Sequence, residues 1–442
     1  MKEKHQINLT LLHIGIGFLI AFHPPLSKVY VLLILFMGFY IVVKNKNKNN
    51  EILYVIAYIA GNEVFLRTTH GNIFGEFGKY MMLFFSLLGF FYTGFPKIKN
   101  PYWIYLALLL PSVFLSFMYL NGDFRRKIFF EILGPISLGI LALYTYKKKI
   151  SAIQINVILN LIAFPILSSC IYLILNYSRN VNQISSDNSN FYLSGDYAPN
   201  QMATALGLGV FIYLLKIILE SDNSKMIYPN IIIFSLIFYR GLLTFSRGGI
   251  ITGVIVAITL FLSIYISGNG FYKLKRKIGV SILILTSIFI LTVCQTKNSL
   301  FKRYTNFEIL HPDGIFKTRG RYIQIESDFK NFTENPIAGI GPGKGKEIRK
   351  SDYNRNVSTH TEVTRLLSEH GVLGLFALLI LIYYPLQLYC NDLRNFYLLP
   401  FFVFWLFTIN HSATRIIAPL FLYALTLLQV EVEDKENVVV VK

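Results

Sequence analysis

The residues of this chain best able to do chemistry are cations and one histidine in unusual settings. Arg247 lies in Thr-Phe-Ser-Arg-Gly-Gly (244–249), between two apolar runs. Arg319, Arg321 and His360 fall in a long polar stretch, 297–363, and Arg125 and Arg126 stand side by side in Asn-Gly-Asp-Phe-Arg-Arg-Lys (121–127). A charge at the centre of a membrane-spanning helix costs ~2.5–3.5 kcal/mol by insertion scales, so cations held within the membrane need anions. Arginine suits phosphate, because its planar fork makes bidentate, charge-assisted hydrogen bonds. The small Ser246, Gly248 and Gly249 let a ligand approach Arg247, and His360 is a candidate general base. Supporting candidates are Arg67, Arg319, His411 and Arg415, together with Asn200, which reads first as a helix cap. Arg67 follows Glu63 by four residues, the spacing of an ion pair within one helix. His411 and Arg415 flank a short turn in Asn-His-Ser-Ala-Thr-Arg (410–415).

These residues must be positioned by membrane helices. Of the 442 residues, 54% are hydrophobic and only 15% are charged, a composition too apolar for a soluble fold. The net charge of +18 resides largely in short lysine clusters between apolar runs, where it signals topology, and nucleic acid is rejected as a partner. Cys170, Cys294 and Cys390 lie in or beside apolar segments without metal-ligand spacing, and read as packing residues. The first apolar segment shows no clear cleavage pattern and reads as retained.

Apolar runs able to cross a ~30 Å hydrocarbon core occur near 7–22, 26–43, 51–66, 79–95, 101–120, 128–146, 153–176, 201–219, 227–245, 249–267, 278–296, 367–389, 396–410 and 412–430. The expected fold is therefore an all-α polytopic integral membrane protein of 12–14 transmembrane helices. Lysine-rich connections at 44–50, 96–100, 147–149 and 272–277 each follow an even-numbered segment, which puts them and both termini in the cytoplasm. The candidate chemistry then lies on the outer face, where Arg125, Arg126 and Lys127 break the charge rule. The expected division is 1–296, a first set of transmembrane helices; 297–363, an outer loop domain; 364–430, the last transmembrane helices; and 431–442, a cytoplasmic tail.

Two further stretches bear on the site. Asn-Pro-Ile-Ala-Gly-Ile-Gly-Pro-Gly-Lys-Gly (335–345) fails the nucleotide-loop pattern, because Gly345 follows Lys344 and position 338 is not glycine. It reads either as a turn passing close to other backbone or as a diphosphate-cradling nest. Residues 359–374 read as a helix entering the membrane, with His360, Thr364 and Leu367 on one face and Gly371 marking a break or a close contact.

Taken together, Ser246-Arg247-Gly248-Gly249, Gly320-Arg321, Asn335–Gly341, His360 and Glu369–Gly374 come in an order that resembles the O-antigen ligase and polymerase superfamily of bacterial envelope glycosyltransferases. Weaker echoes are Tyr58–Arg67 and Pro199-Asn200-Gln201. The resemblance implies a GT-C-like fold in the bacterial inner membrane with a periplasmic active site. It implies transfer of a glycan from an undecaprenyl-diphosphate carrier to an acceptor hydroxyl, on lipid A–core or a similar lipid or saccharide. Arg247 and Arg321 would bind the diphosphate, with Arg125 or Arg126 assisting, and His360 would be the catalytic base. Thr361 departs from the asparagine that often follows this histidine. No outer Asp-x-Asp pair is present, which fits a metal-independent, inverting enzyme without a cofactor. A polymerase of the same architecture is the alternative, and a polysaccharide or lipid transporter is the alternative from another class. Transporters tend to show repeats and midplane sites, whereas these candidates collect at one face.

Overall fold

A computed structural model describes residues 3–117, 122–178, 189–219, 224–267, 271–305, 319–353, 359–412 and 414–431, without the side chains of 117, 122–127, 271–274, 319–322 and 353. The first helices are α1 (Glu3–Phe22), α2 (Leu26–Asn45), α3 (Glu51–Thr68), α4 (Phe77–Thr93), α5 (Tyr102–Phe117), α6 (Gly122–Thr145) and α7 (Ala152–Asn176). They are followed by α8 (Pro199–Leu219), α9 (Ile227–Leu243), α10 (Arg247–Ile266) and α11 (Phe271–Gln295). Three polar helices come next, α12 (Ser299–Thr305), α13 (Arg319–Glu334) and α14 (Lys344–Tyr353), before α15 (Glu362–Asn391), α16 (Leu398–Ser412) and α17 (Ile417–Leu425). Strands β1 (Lys149–Ser151) and β2 (Gln429–Glu431) pair in parallel.

Among the described residues, eight helices are long and apolar enough to cross a membrane, and α4, α5, α9 and α16 are apolar but shorter. The expected 12–14 spans thus resolve into eight of full length and a set of shorter helices. Of the remainder, α3 carries Glu51, Glu63 and Arg67, and α17 has only 9 residues. Large apolar side chains of α1, α2 and α11, such as Leu19, Phe36 and Leu291, are exposed, while α3, α8 and α17 are buried on nearly all sides. In a bilayer the first group meets lipid, and the second forms the centre that carries the site.

The chain alternates between two ends. At one, the lysine-rich connections gather: Gln154 Nε2 donates to the Asn49 carbonyl at 2.9 Å, and Lys147 N to the Leu427 carbonyl at 2.8 Å. There α7 starts with a reciprocal cap between Ser151 and Gln154. At the opposite end lie the starts of α4, α6, α8, α10 and α15, with the turn from α16 to α17.

The break expected at Gly371 is present inside α15, with φ 61° and ψ −144°. Segment 336–343 crosses the helix there. Val372 N donates to the Pro336 carbonyl at 2.8 Å, and Ile340 and Gly341 N donate to the Ser368 and Glu369 carbonyls at 2.9 and 3.0 Å. With Gly343 N bound to Glu369 Oε1 at 3.0 Å, these amides are occupied, so the glycine run is a backbone crossing rather than a phosphate nest. A Cβ on Gly371 would stand 2.5 Å from the Pro336 oxygen, and the left-handed backbone also disfavours any side chain. Gly371→Ala should therefore destabilise the protein by about 1–3 kcal/mol, read as a lowered melting temperature in detergent. Gly15→Ala, in α1 with nothing within 4 Å of its Cβ, should leave that temperature unchanged or raised.

Candidate functional site

Helix ends at the polar end of the bundle enclose a cavity of about 170 Å³. Its wall is built around two arginines. Arg67, in the last turn of α3, donates to Glu63 Oε1 at 2.7 Å, to Glu76 Oε2 at 3.3 Å and to the Tyr197 hydroxyl at 3.0 Å. The ion pair expected from the 63/67 spacing is formed, and the second Glu63 oxygen accepts from Ile417 N at 2.6 Å, tying α17 to α3. Arg365, in the first turn of α15, pairs with Glu362, with Glu131 of α6 at 3.0 Å and with Glu369 at 3.5 Å. Lys79 completes a second pair with Glu76 at 2.8 Å.

Arg415 differs from both. It lines the same cavity, yet among the described residues no carboxylate pairs with it, and its guanidinium donates to the Thr359 carbonyl at 3.0 Å. Burial lowers its proton affinity, and nearby Glu131 and Glu362 do not make up the loss while Arg365 repels it. A half-buried guanidinium in that position is suited to an incoming anion. The same turn carries His360, half-buried and two residues ahead of α15 rather than on the helix face expected for it. Thr359 and Thr364 both donate to Asp328 of α13, at 3.2 and 2.9 Å, and Arg349 of α14 pairs with Asp328 at 2.7 Å. Burial raises the Asp328 carboxyl above its ordinary value, with Arg349 and the two threonines opposing. The polar helices thus hold the His360 turn in place.

Arg247 occupies a neighbouring cluster. It opens α10, and the small residues beside it permit close contacts on two sides: a Cβ on Gly249 would stand 2.2 Å from the Ala203 carbonyl carbon of α8, and one on Gly248 2.8 Å from the His411 ring of α16. His411 Nε2 lies 3.1 Å from Thr204 Oγ1. Asn200 sits inside the first turn of α8 instead of capping it from outside, and its Oδ1 accepts from Ser246 Oγ at 2.8 Å. On the third side, Arg303 of α12 donates to the Phe245 carbonyl at 3.1 Å, and Tyr304 is close enough for Arg247 to offset part of the upward shift that burial imposes on it. Arg240 belongs to a separate helix, α9, and is fully buried, where it donates to the Tyr177 and Leu193 carbonyls. The side chains of Arg125, Arg126, Arg319 and Arg321 lie outside the described residues.

Of the supporting residues named from sequence, Arg67 and Arg415 meet at the cavity, and His411 and Asn200 join Arg247. Sequence reasoning passed over Arg365, Lys79, Glu131 and Asp328. A signal for the first was available, because Glu362, Arg365 and Glu369 recur at helical spacing at the head of an apolar span. Among the described residues no group of three or more His, Cys, Asp and Glu is arranged to hold a metal.

Residues 232–379 match the family model described as O-Antigen ligase, a region running from α9 to the middle of α15 and containing Arg247, Arg321, His360 and Arg365. No curated protein matches the chain significantly.

Two measurements check the electrostatics. Arg67→Ala leaves the Glu63 carboxylate buried without its cation and should cost about 3–5 kcal/mol of stability, seen as a large fall in melting temperature. For Glu76, burial pulls the carboxyl upward, but Lys79 and Arg67 outweigh it and hold it below 4.5. A folded value below the unfolded one stabilises the protein above pH 4.5, and that contribution is lost as the pH falls through the depressed value. Melting temperatures of wild type and Glu76→Gln should accordingly differ near neutrality and converge on acidification.

Proposed function

We propose that this chain, whose residues 232–379 match the O-antigen ligase family model, is a membrane glycosyltransferase that moves a glycan from an undecaprenyl-diphosphate carrier to an acceptor hydroxyl on the periplasmic face. The observation that carries the reading is Arg415, a half-buried guanidinium in an arginine-lined cavity with no carboxylate partner among the described residues. A diphosphate is the ligand class that such a cavity would complete. Arg247 and Arg321 enter through the family resemblance, and the match over 232–379 includes both.

In this reading the acceptor oxygen attacks the anomeric carbon as the bond from that carbon to the diphosphate oxygen breaks. The electron pair leaves with the diphosphate, where Arg415, Arg247 and Arg321 stabilise the growing charge without a metal ion. His360 takes the proton released by the acceptor hydroxyl. Attack opposite the leaving group inverts the anomeric centre. The pairing of Arg67 and Arg365 with carboxylates suits a positioning role, since their charge is already met.

The test is glycan transfer by purified protein from an undecaprenyl-diphosphate donor, with and without a chelator. Arg415→Ala, like Arg247→Ala and Arg321→Ala, should lower kcat/KM about 10²–10³-fold, with Arg415→Lys recovering part of the loss. His360→Ala should lower kcat and remove the lower pH limb of the rate profile. A lipid A–core acceptor against a second donor molecule as acceptor separates ligation from polymerisation. Full activity in Arg415→Ala, or dependence on a divalent metal, would overturn the mechanism.

A further inference from the structure

Three hollows meet at one aromatic ring. Phe130 of α6 borders the 170 Å³ cavity, a groove of about 710 Å³ alongside α4 and α6, and a cavity of about 780 Å³ beside α14. Their linings differ in chemistry. The groove is walled by Phe74, Tyr80, Met81, Phe84 and Phe129, and four of these five are exposed although large and apolar. The cavity beside α14 presents Lys346, Lys350 and Glu347, together with Glu131, which it shares with the arginine-lined cavity. Passing through Phe130, the surface changes from apolar to a lining of four cations and two carboxylates, and then to mixed polar.

That order matches a single kind of molecule, one with a long hydrocarbon chain, an anionic linkage and a polar head. We propose that the α4–α6 groove holds the isoprenoid chain of the donor, with its diphosphate in the cavity behind Phe130 and its first sugar directed toward α14. The proposal rests on the transferase reading for the identity of the donor and adds where each part of it lies. Two observations favour this occupant over a bulk phospholipid. At Phe130 the groove adjoins a cavity whose cations Lys79 and Arg365 are buried and Arg67 and Arg415 half-buried, and its walls are mostly aromatic, offering flat faces to one branched chain. Phe130 is then a positioning residue, standing where the chain gives way to the diphosphate.

Photolabelling tests the placement. Full-length protein in vesicles of phosphatidylethanolamine and phosphatidylglycerol is irradiated with a diazirine-bearing undecaprenyl diphosphate that carries no glycan, and labelled peptides are mapped. The expected label falls within 80–84 and 129–130, and it is competed by unlabelled undecaprenyl diphosphate but not by added phosphatidylglycerol. The paired change Phe84→Ala with Phe129→Ala, checked for an unchanged melting temperature, should cut labelling by the long-chain probe about tenfold and leave labelling of the arginine-lined cavity by a short-chain analogue intact. Label elsewhere, equal competition by phosphatidylglycerol, or equal loss for both probes would overturn the proposal. Because labelling needs no glycosyl transfer, a labelled groove in a protein that transfers nothing would sink the transferase reading while the groove assignment stands.

Discussion

The structure depends on charges buried at one end of an apolar bundle. A carboxylate or guanidinium withdrawn from water must find partners, and removing one partner costs more than the pair contributes. Here the partners sit on different elements. Arg67 joins α3 to the α3–α4 connection through Glu76, to the approach of α8 through Tyr197, and to the α16–α17 turn through the Arg415 carbonyl. Glu63 fixes the start of α17, and Arg365 fixes α15 to α6 through Glu131 and to Thr414. Apolar helix faces can slide against one another at modest cost, whereas these contacts set the register of the helix ends.

The same network explains why one cation differs from its neighbours. Among the described residues, carboxylates pair with Arg67, Lys79 and Arg365, while the Arg415 guanidinium donates to a carbonyl. The polar helices contribute from outside the bundle: Asp328 and Arg349 lock the turn that carries Thr359 and His360, and the glycine segment 336–343 hydrogen-bonds through the break at Gly371. The histidine is thereby placed by three separate stretches of chain, none of which reads as catalytic by itself.

Particular residues show what could be read in advance. Glu63 and Arg67 could be paired from sequence because both lie on one helix four residues apart, and Gly371 could be marked as a break or close contact because glycine adopts backbone that other residues rarely do. Asn200 was misread because a helix boundary moved. It fell inside the first turn of α8 instead of ahead of it. Asp328 with Arg349, and Arg365 with Glu131, could not be paired at all. Their separations follow no helical period, and the pairing arises only when α13 meets α14 and α15 meets α6.

The sequence alone determined that the chain is a helical membrane protein with cations gathered toward one end, since apolar length and charge spacing act locally and survive any packing. A resemblance to the O-antigen ligase superfamily was also legible, through short motifs in a fixed order, and residues 232–379 match that family's model. Tertiary structure decided which cations are already met by carboxylates and that, among the described residues, Arg415 faces the cavity without one. That distinction is a property of distances between helices, and an apolar surface of similar residues on every span leaves those distances open until the chain has packed.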